Sequence, residues 1–132
     1  MVRTVDTRFF LTHFLADSSI LKQKVKSKMI GLYRESAIVP TIVLHEVYKF
    51  EYQKLGRDAA DIDIRSIEKA GFKIVELGIG IAKTAAVLRC KYRNLPTADS
   101  IIAATAMEHK SHLVVSDDEH FSKIKEIKTE WI

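Results

Sequence analysis

Apolar positions along the chain fall into two kinds of segment that take turns: short unbroken runs, and longer stretches with helical spacing. The first run, residues 2–5, is β-prone and stops at Asp6. Phe9, Phe10, Leu11, Phe14 and Leu15 follow at helical spacing, and Asp17, Ser18 and Ser19 offer N-caps for a second helix to about residue 35. Residues 37–41 read as a short buried strand, followed by a helix over 42–55 that Gly56 ends. A further helix over 57–70 stops at Gly71, and residues 72–77 are strand-like. Residues 81–92 are helical, and Pro96 and Thr97 precede a helix over 98–109. Residues 112–116 form the next strand, a short helix carries Phe121, and residues 127–132 suit an edge strand.

Short apolar strands alternating with helices predict an α/β domain of three layers, α/β/α, with a mostly parallel central sheet of four or five strands. In such sheets the functional crevice lies at the carboxyl ends of the strands. Asp6 falls at the end of the first strand, and Asp117 and Asp118 fall at the end of the run Leu113, Val114, Val115 and Ser116. There is no internal repeat and no linker, so the 132 residues are expected to form a single domain, 1–132.

Composition narrows the class. The chain is 47% apolar, ordinary for a protein with a packed core, and it has no apolar run of the roughly 18 residues a membrane span needs. The opening Met-Val-Arg-Thr-Val-Asp lacks a charged leader followed by a long apolar stretch, so no secretory signal is expected. The one cysteine, Cys90, cannot form an internal disulfide and suits a cytoplasmic setting. It is expected to be a small core or helix-surface residue. With 21 Lys and Arg against 17 Asp and Glu the chain carries +4, which is compatible with a nucleic-acid partner. Lys22, Lys24, Lys26 and Lys28 form two adjacent stripes on their helix, either a solvated face or a flank for phosphates.

Four acids stand where folding alone does not require them. Asp6 is the first polar stop after a buried strand and also suits an N-cap. Glu46 is expected to project between Ile42 and Phe50, toward the apolar side of its helix, or else to lie at the boundary with its head in solvent. Asp99 lies in the first turn after Pro96 and Thr97, where the helix dipole favours an acid, yet it shares a face with Ile102, Ala103 and Ala106. Asp118 closes the last apolar strand, within the acidic triplet Asp117, Asp118 and Glu119, any of which suits an N-cap. Carboxylates converging at a sheet mouth are what hard divalent cations require. Two such ions about 3.5–4 Å apart activate water and stabilise the leaving oxygen of a phosphodiester. Other chemistries lack material. There is no glycine-rich phosphate loop, no Cys/His zinc spacing and no serine in a nucleophile elbow. His13, His45, His109, His112 and His120 are scattered and read as surface or partly buried polar residues.

The segments Val5-Asp6-Thr7, Leu44-His45-Glu46, Pro96-Thr97-Ala98-Asp99-Ser100-Ile101-Ile102-Ala103-Ala104-Thr105-Ala106 and Leu113-Val114-Val115-Ser116-Asp117-Asp118-Glu119-His120-Phe121 resemble the PIN-domain ribonucleases. The chain is most similar to the stand-alone VapC toxins of toxin–antitoxin modules, over essentially its whole length. The resemblance implies endoribonuclease activity that depends on Mg²⁺ or Mn²⁺ and leaves a 5′-phosphate. It also implies a homodimer and neutralisation by a cognate antitoxin. The metal-site acids it implies are Asp6, Glu46, Asp99 and Asp118, with Ser116 in support, bonded within the cluster or orienting a metal-bound water, and Thr7 and Asp117 alongside. Spacing to Phe121 favours Asp118 over Asp117 as the last acid. Where the family often has asparagine or serine, Arg8 stands here, placed to reach a substrate phosphate. Lys22, Lys26 and Lys49 are the other RNA-binding candidates. Phe9, Phe10, Leu32 and Tyr33 are candidate docking anchors for an antitoxin, with core burial expected for at least half of them.

Three other readings fit parts of the pattern. A PIN nuclease of RNA maturation or quality control would share the same acids, and a non-cleaving PIN-fold RNA-binding module has no need of all four. A signalling receiver domain has similar length, but it needs paired acids after the first strand and an aspartate after a middle one. Here Asp6 stands alone and residues 37–41 end without an aspartate.

Overall fold

The computed structural model of the protein describes residues 2–132. Its strands are β1 (Thr4–Val5), β2 (Ile38–Pro40), β3 (Lys73–Val75), β4 (Leu113–Val115) and β5 (Lys128–Glu130). Its helices are α1 (Thr7–Leu15), α2 (Ser19–Arg34), α3 (Thr41–Leu55), α4 (Arg57–Lys69), α5 (Ile79–Lys91), α6 (Thr97–Glu108) and α7 (Glu119–Ser122). Every strand and helix expected from the apolar pattern is present, with ends displaced by a residue or two. Val2 lies outside β1 and is 40% exposed; within β1, Thr4 pairs with both β2 and β4, and Val5 pairs with β4.

The sheet has five strands in the order β3-β2-β1-β4-β5, every adjacent pair parallel. The chain lays down β1, builds outward through β2 and β3, then crosses back to the other side of β1 for β4 and β5. The strand order therefore reverses between β1 and β4, and their carboxyl ends open a crevice there. Ser116 and Asp118 leave β4 beside Asp6, which is tied to β4 by its own amide donating to the Val115 carbonyl at 3.2 Å.

Strands β1 and β2 are buried throughout and β4 all but Leu113, while the edge strands β3 and β5 expose Lys73, Lys128 and Thr129. Charges on an edge discourage pairing with another chain. Helix α6 is more enclosed than its sequence suggests. All eight residues from Asp99 to Ala106 are buried, against α5 on one side and β1, β2 and β4 on the other. Ser100 and Thr105 fit in this interior by donating to the carbonyls of Thr97 and Ile101, at 2.6 and 2.7 Å.

Three of the four apolar residues considered as docking anchors belong to the core. Phe9, Phe10 and Leu32 are buried, and only Tyr33 reaches the surface. Phe9 and Phe10 meet edge to face at 5.6 Å, Phe10 meets Phe72 at 5.5 Å, and Phe9 meets Trp131 at 6.3 Å. The lysine flank is also thinner than its pattern. Lys22, Lys24 and Lys26 are exposed, but Lys28 is tied to Glu130, which also takes Arg3 at 2.8 Å.

Glu51 of α3 is fully buried, and neither of its carboxyl oxygens has a hydrogen-bond partner among the described residues. Burial first, and then the Asp63 carboxylate of α4, push it up to about 8. Two carboxylates only accept, so their contact becomes a hydrogen bond when one of them carries a proton. Glu51 is thus held as a neutral acid at neutral pH.

Candidate metal centre at the β1–β4 crevice

Each of the three aspartates is placed by a helix N-terminus. Asp6 caps α1 and accepts from the Arg8 amide at 3.5 Å. Asp118 caps α7 and accepts from the His120 amide at 2.9 Å. Asp99 lies in the first turn of α6. Capping and clustering are therefore the same device, since three N-terminal turns converge on one crevice and bring an acid each. Glu46 comes instead from the second turn of α3, where Thr7 Oγ1 donates to Glu46 Oε1 at 2.6 Å. The buried line of α3 is Val43, Val47 and Glu51. Glu46 flanks that line with the partly buried Ile42 and the exposed Phe50, so it faces the crevice rim and not the core.

Ser116 ties the cluster together. Its hydroxyl donates to Asp6 Oδ2 at 2.6 Å and accepts from the Asp118 amide at 3.0 Å. Ser116 is 4% exposed and Asp6 is 2% exposed, so this is a desolvated pair. Burial raises the Asp6 carboxyl to about 6, with Glu46 adding to the rise, against the Ser116 hydroxyl and the amides of Thr7 and Arg8, which favour the charged form. Asp99 stands higher, at about 7, through burial and then repulsion from Asp118, Asp6 and Glu46, with His120 opposing.

His120 is the residue that sequence reasoning missed. Read there as a surface or partly buried polar residue, it places Nδ1 at 2.8 Å from Asp118 Oδ1 and 3.3 Å from Asp99 Oδ2. Neither contact is aligned as a hydrogen bond, so the nitrogen is close to both oxygens but has no hydrogen-bond partner among the described residues. The donor atoms of Asp99, Asp118 and His120 all lie within 4.8 Å of one another, a set that could hold a metal ion. The available signal was Asp118-x-His120, an N-cap acid whose carboxylate folds back to accept from the His120 amide and so comes to lie near its ring.

The two adjacent acids divide cleanly. Asp118 faces Asp99 and His120, whereas Asp117 is exposed and binds Arg8 through both Nε and Nη2, the latter at 3.3 Å. Arg8, the candidate for reaching a substrate phosphate, has its guanidinium paired with Asp117 and remains about half exposed. Lys49, like Lys22 and Lys26, is exposed and forms no ion pair among the described residues.

The donor chemistry fits a hard divalent cation. Asp99 and Asp118 offer oxygen and His120 offers a ring nitrogen without a hydrogen-bond partner among the described residues, while burial and neighbouring carboxylates raise Asp6 and Asp99 above the usual carboxylate range. Oxygen donors suit Mg²⁺, and the mixed oxygen and nitrogen set also suits Mn²⁺.

The family model for the PIN domain matches residues 4–127, and the chain belongs to that family. No curated protein matches the chain at the sequence level. Among solved structures, VapBC2 of Rickettsia felis, bound to a promoter DNA fragment, matches with a TM-score of 0.78 at 13% identity, covering 99% of this chain and 98% of that one. FitAcB of Neisseria gonorrhoeae matches at 0.76 and 18%, covering 97% and 96%. VapC20 of Mycobacterium tuberculosis, a toxin that cleaves the sarcin–ricin loop, matches at 0.74 and 17%, covering 96% and 98%. At these identities the likeness shows a shared fold.

Proposed function

We propose that this protein is a metal-dependent endoribonuclease, the toxin of a VapBC-type toxin–antitoxin module, with Asp6, Glu46, Asp99 and Asp118 as its catalytic acids. The observation that carries the reading is the convergence of Asp6, Asp99 and Asp118 on the switch point between β1 and β4, with His120 between two of them. Asp99, Asp118 and His120 would hold a Mg²⁺ or Mn²⁺ ion, with Asp6 and Glu46 closing the negative pocket. When bound, such an ion supplies charge neutralisation at a phosphodiester and a more acidic water for its hydrolysis.

The chain's own residues prepare that chemistry. Ser116 holds the Asp6 carboxylate in one orientation and keeps it more acidic than burial alone would allow. Thr7 does the same for the direction of Glu46. Asp117 neutralises Arg8 and keeps its own charge out of the pocket. The net charge of +4 favours approach of a polyanion to a locally negative site, with Lys22, Lys26 and Lys49 as exposed cations along the way. The assignment to a toxin under an antitoxin is supported by the likeness in fold to VapBC complexes, the homodimer is what the family resemblance implies, and the cytoplasmic setting is what the lone cysteine suits. An antitoxin arginine could satisfy two of the carboxylates at once. Its apolar anchors have the groove of α1, α2 and α3, lined by Leu11, Leu15, Leu21 and Phe50, in place of the buried Phe9 and Phe10.

The test is purified protein with a structured RNA and divalent ion titrated from zero. Cleavage should require Mg²⁺ or Mn²⁺, stop with chelator, and leave 5′-phosphate ends. Undiminished cleavage in EDTA overturns the metal reading. A monomer harmless when expressed alone and indifferent to a co-expressed antitoxin encoded beside it, yet still cleaving RNA, removes the toxin assignment and leaves the nuclease.

A further inference from the structure

His120 also lines a cavity of about 240 Å³ on the surface beside the acids. The remaining polar lining is Tyr92, Arg93, Asn94 and Lys123, and the buried Leu95 and Ile124 supply its apolar part. It is built from the α5–α6 connection and α7, the segments that deliver Asp99 and Asp118. We propose that this cavity is the subsite for one unstacked base of single-stranded RNA, the nucleotide next to the scissile phosphodiester. The inference rests on the nuclease reading and adds to it the position where base identity is sensed.

The lining chemistry is that of a base site. No described carboxylate borders it, and the side chains of Arg93, Asn94 and Lys123 have no hydrogen-bond or ion-pair partner among the described residues. Arg93 and Lys123 are therefore free to meet the flanking phosphates. Asn94 offers the paired donor and acceptor that read a base edge. Tyr92 and the apolar pair offer surface to the ring of a base. Ligand pockets for whole small molecules run to about 300–1,000 Å³, so this smaller space suits a single planar ring system.

The site is also formed in advance. Tyr92 Oη donates to Glu126 Oε1 at 2.5 Å and accepts from the Lys125 amide at 3.0 Å. The turn is closed by the Leu95 amide on the Tyr92 carbonyl and by Arg89 Nε on the Leu95 carbonyl, both at 3.2 Å. A pre-formed cavity sharing a wall residue with the acid cluster lets the bound base set the register of cleavage.

The experiment compares wild type with Asn94→Ala and with Arg93→Ala, Lys123→Ala on single-stranded RNAs that vary the base on each side of the cleaved bond. Wild type should prefer one base at one flanking position. Asn94→Ala should lower kcat/KM for that base about tenfold and flatten the preference. Arg93→Ala and Lys123→Ala should weaken all sequences alike and reduce the salt dependence. Melting temperatures close to wild type establish that the variants are folded. Anisotropy of labelled oligoribonucleotides without divalent ion reads the cavity independently of cleavage. Base-selective binding lost in Asn94→Ala, without any cleavage, sinks the nuclease reading and keeps the cavity as a base site with no place beside a scissile bond. Cleavage with an unchanged base profile in Asn94→Ala, or an absence of both cleavage and base-selective binding, overturns the subsite.

Discussion

Asp99→Asn separates a metal-site acid from a helix-terminus acid, because the two roles predict opposite energetics. In the metal-free protein the Asp99 carboxyl stands at about 7 against an ordinary 3.8, through burial first and then Asp118 and Asp6. Its folded value is raised, so below pH 4 both folded and unfolded chains carry the proton and no cost arises. Between about pH 4 and pH 7 the unfolded chain ionises while the folded one resists, and stability falls as pH rises. The interval is about three pH units at 1.36 kcal/mol each, or roughly 4 kcal/mol as an upper figure. Asparagine keeps the volume and removes the charge, but its buried amide still loses water. A net gain of about 1–3 kcal/mol at pH 7.5 is expected, against almost none at pH 4.5. Urea unfolding at both pH values in EDTA measures it. Adding Mn²⁺ should reverse the order, since only wild type binds the ion well and gains stability by mass action. RNA cleavage by the variant should be lost. A variant with near-normal turnover, or one no more stable at pH 7.5 than at pH 4.5 relative to wild type, refutes the reasoning and leaves Asp99 as an acid of the first helical turn.

Three further outcomes follow from the same geometry. Cleavage should rise with pH through about 6–7, as Asp6 and Asp99 lose their protons, and the rise should move to lower pH as metal is increased; a rate flat from pH 5.5 to 8 contradicts this. Ser116→Ala removes the hydroxyl that favours the charged form of Asp6, so it should cost about 1–3 kcal/mol of stability or transition-state binding and move the pH–rate profile upward; an unmoved profile means Ser116 only packs. Glu51→Gln mimics the protonated acid, so its stability relative to wild type should climb as pH rises from about 5 to 8, by at most 1.4 kcal/mol per pH unit; parallel stability curves would show that Glu51 does not hold its proton.

The alternation of short apolar strands with amphipathic helices is written locally, and it was enough to specify an α/β chain with a parallel sheet. The same pattern put Asp6, Asp99 and Asp118 at the ends of strands or the starts of helices, since N-cap and first-turn preferences are properties of neighbouring residues. Which side chains share one crevice is not local. The strand order β3-β2-β1-β4-β5 sets Asp6 beside Ser116 and Asp118, although 110 residues separate Asp6 from Ser116. Turn geometry after β4, which has no periodicity to read, sends Asp118 inward to Asp99 and His120 and sends Asp117 outward to Arg8. Packing likewise decided the fates of Phe9 and Phe10, which look like surface anchors by composition and are core by contact. It buried Glu51 on the line of Val43 and Val47, a position where a helical pattern anticipates an apolar residue. Sequence determined the elements and the acids at their ends, because both follow from interactions within a few residues. Only the tertiary structure decided which charges face one another, because that depends on where the chain crosses back over the sheet.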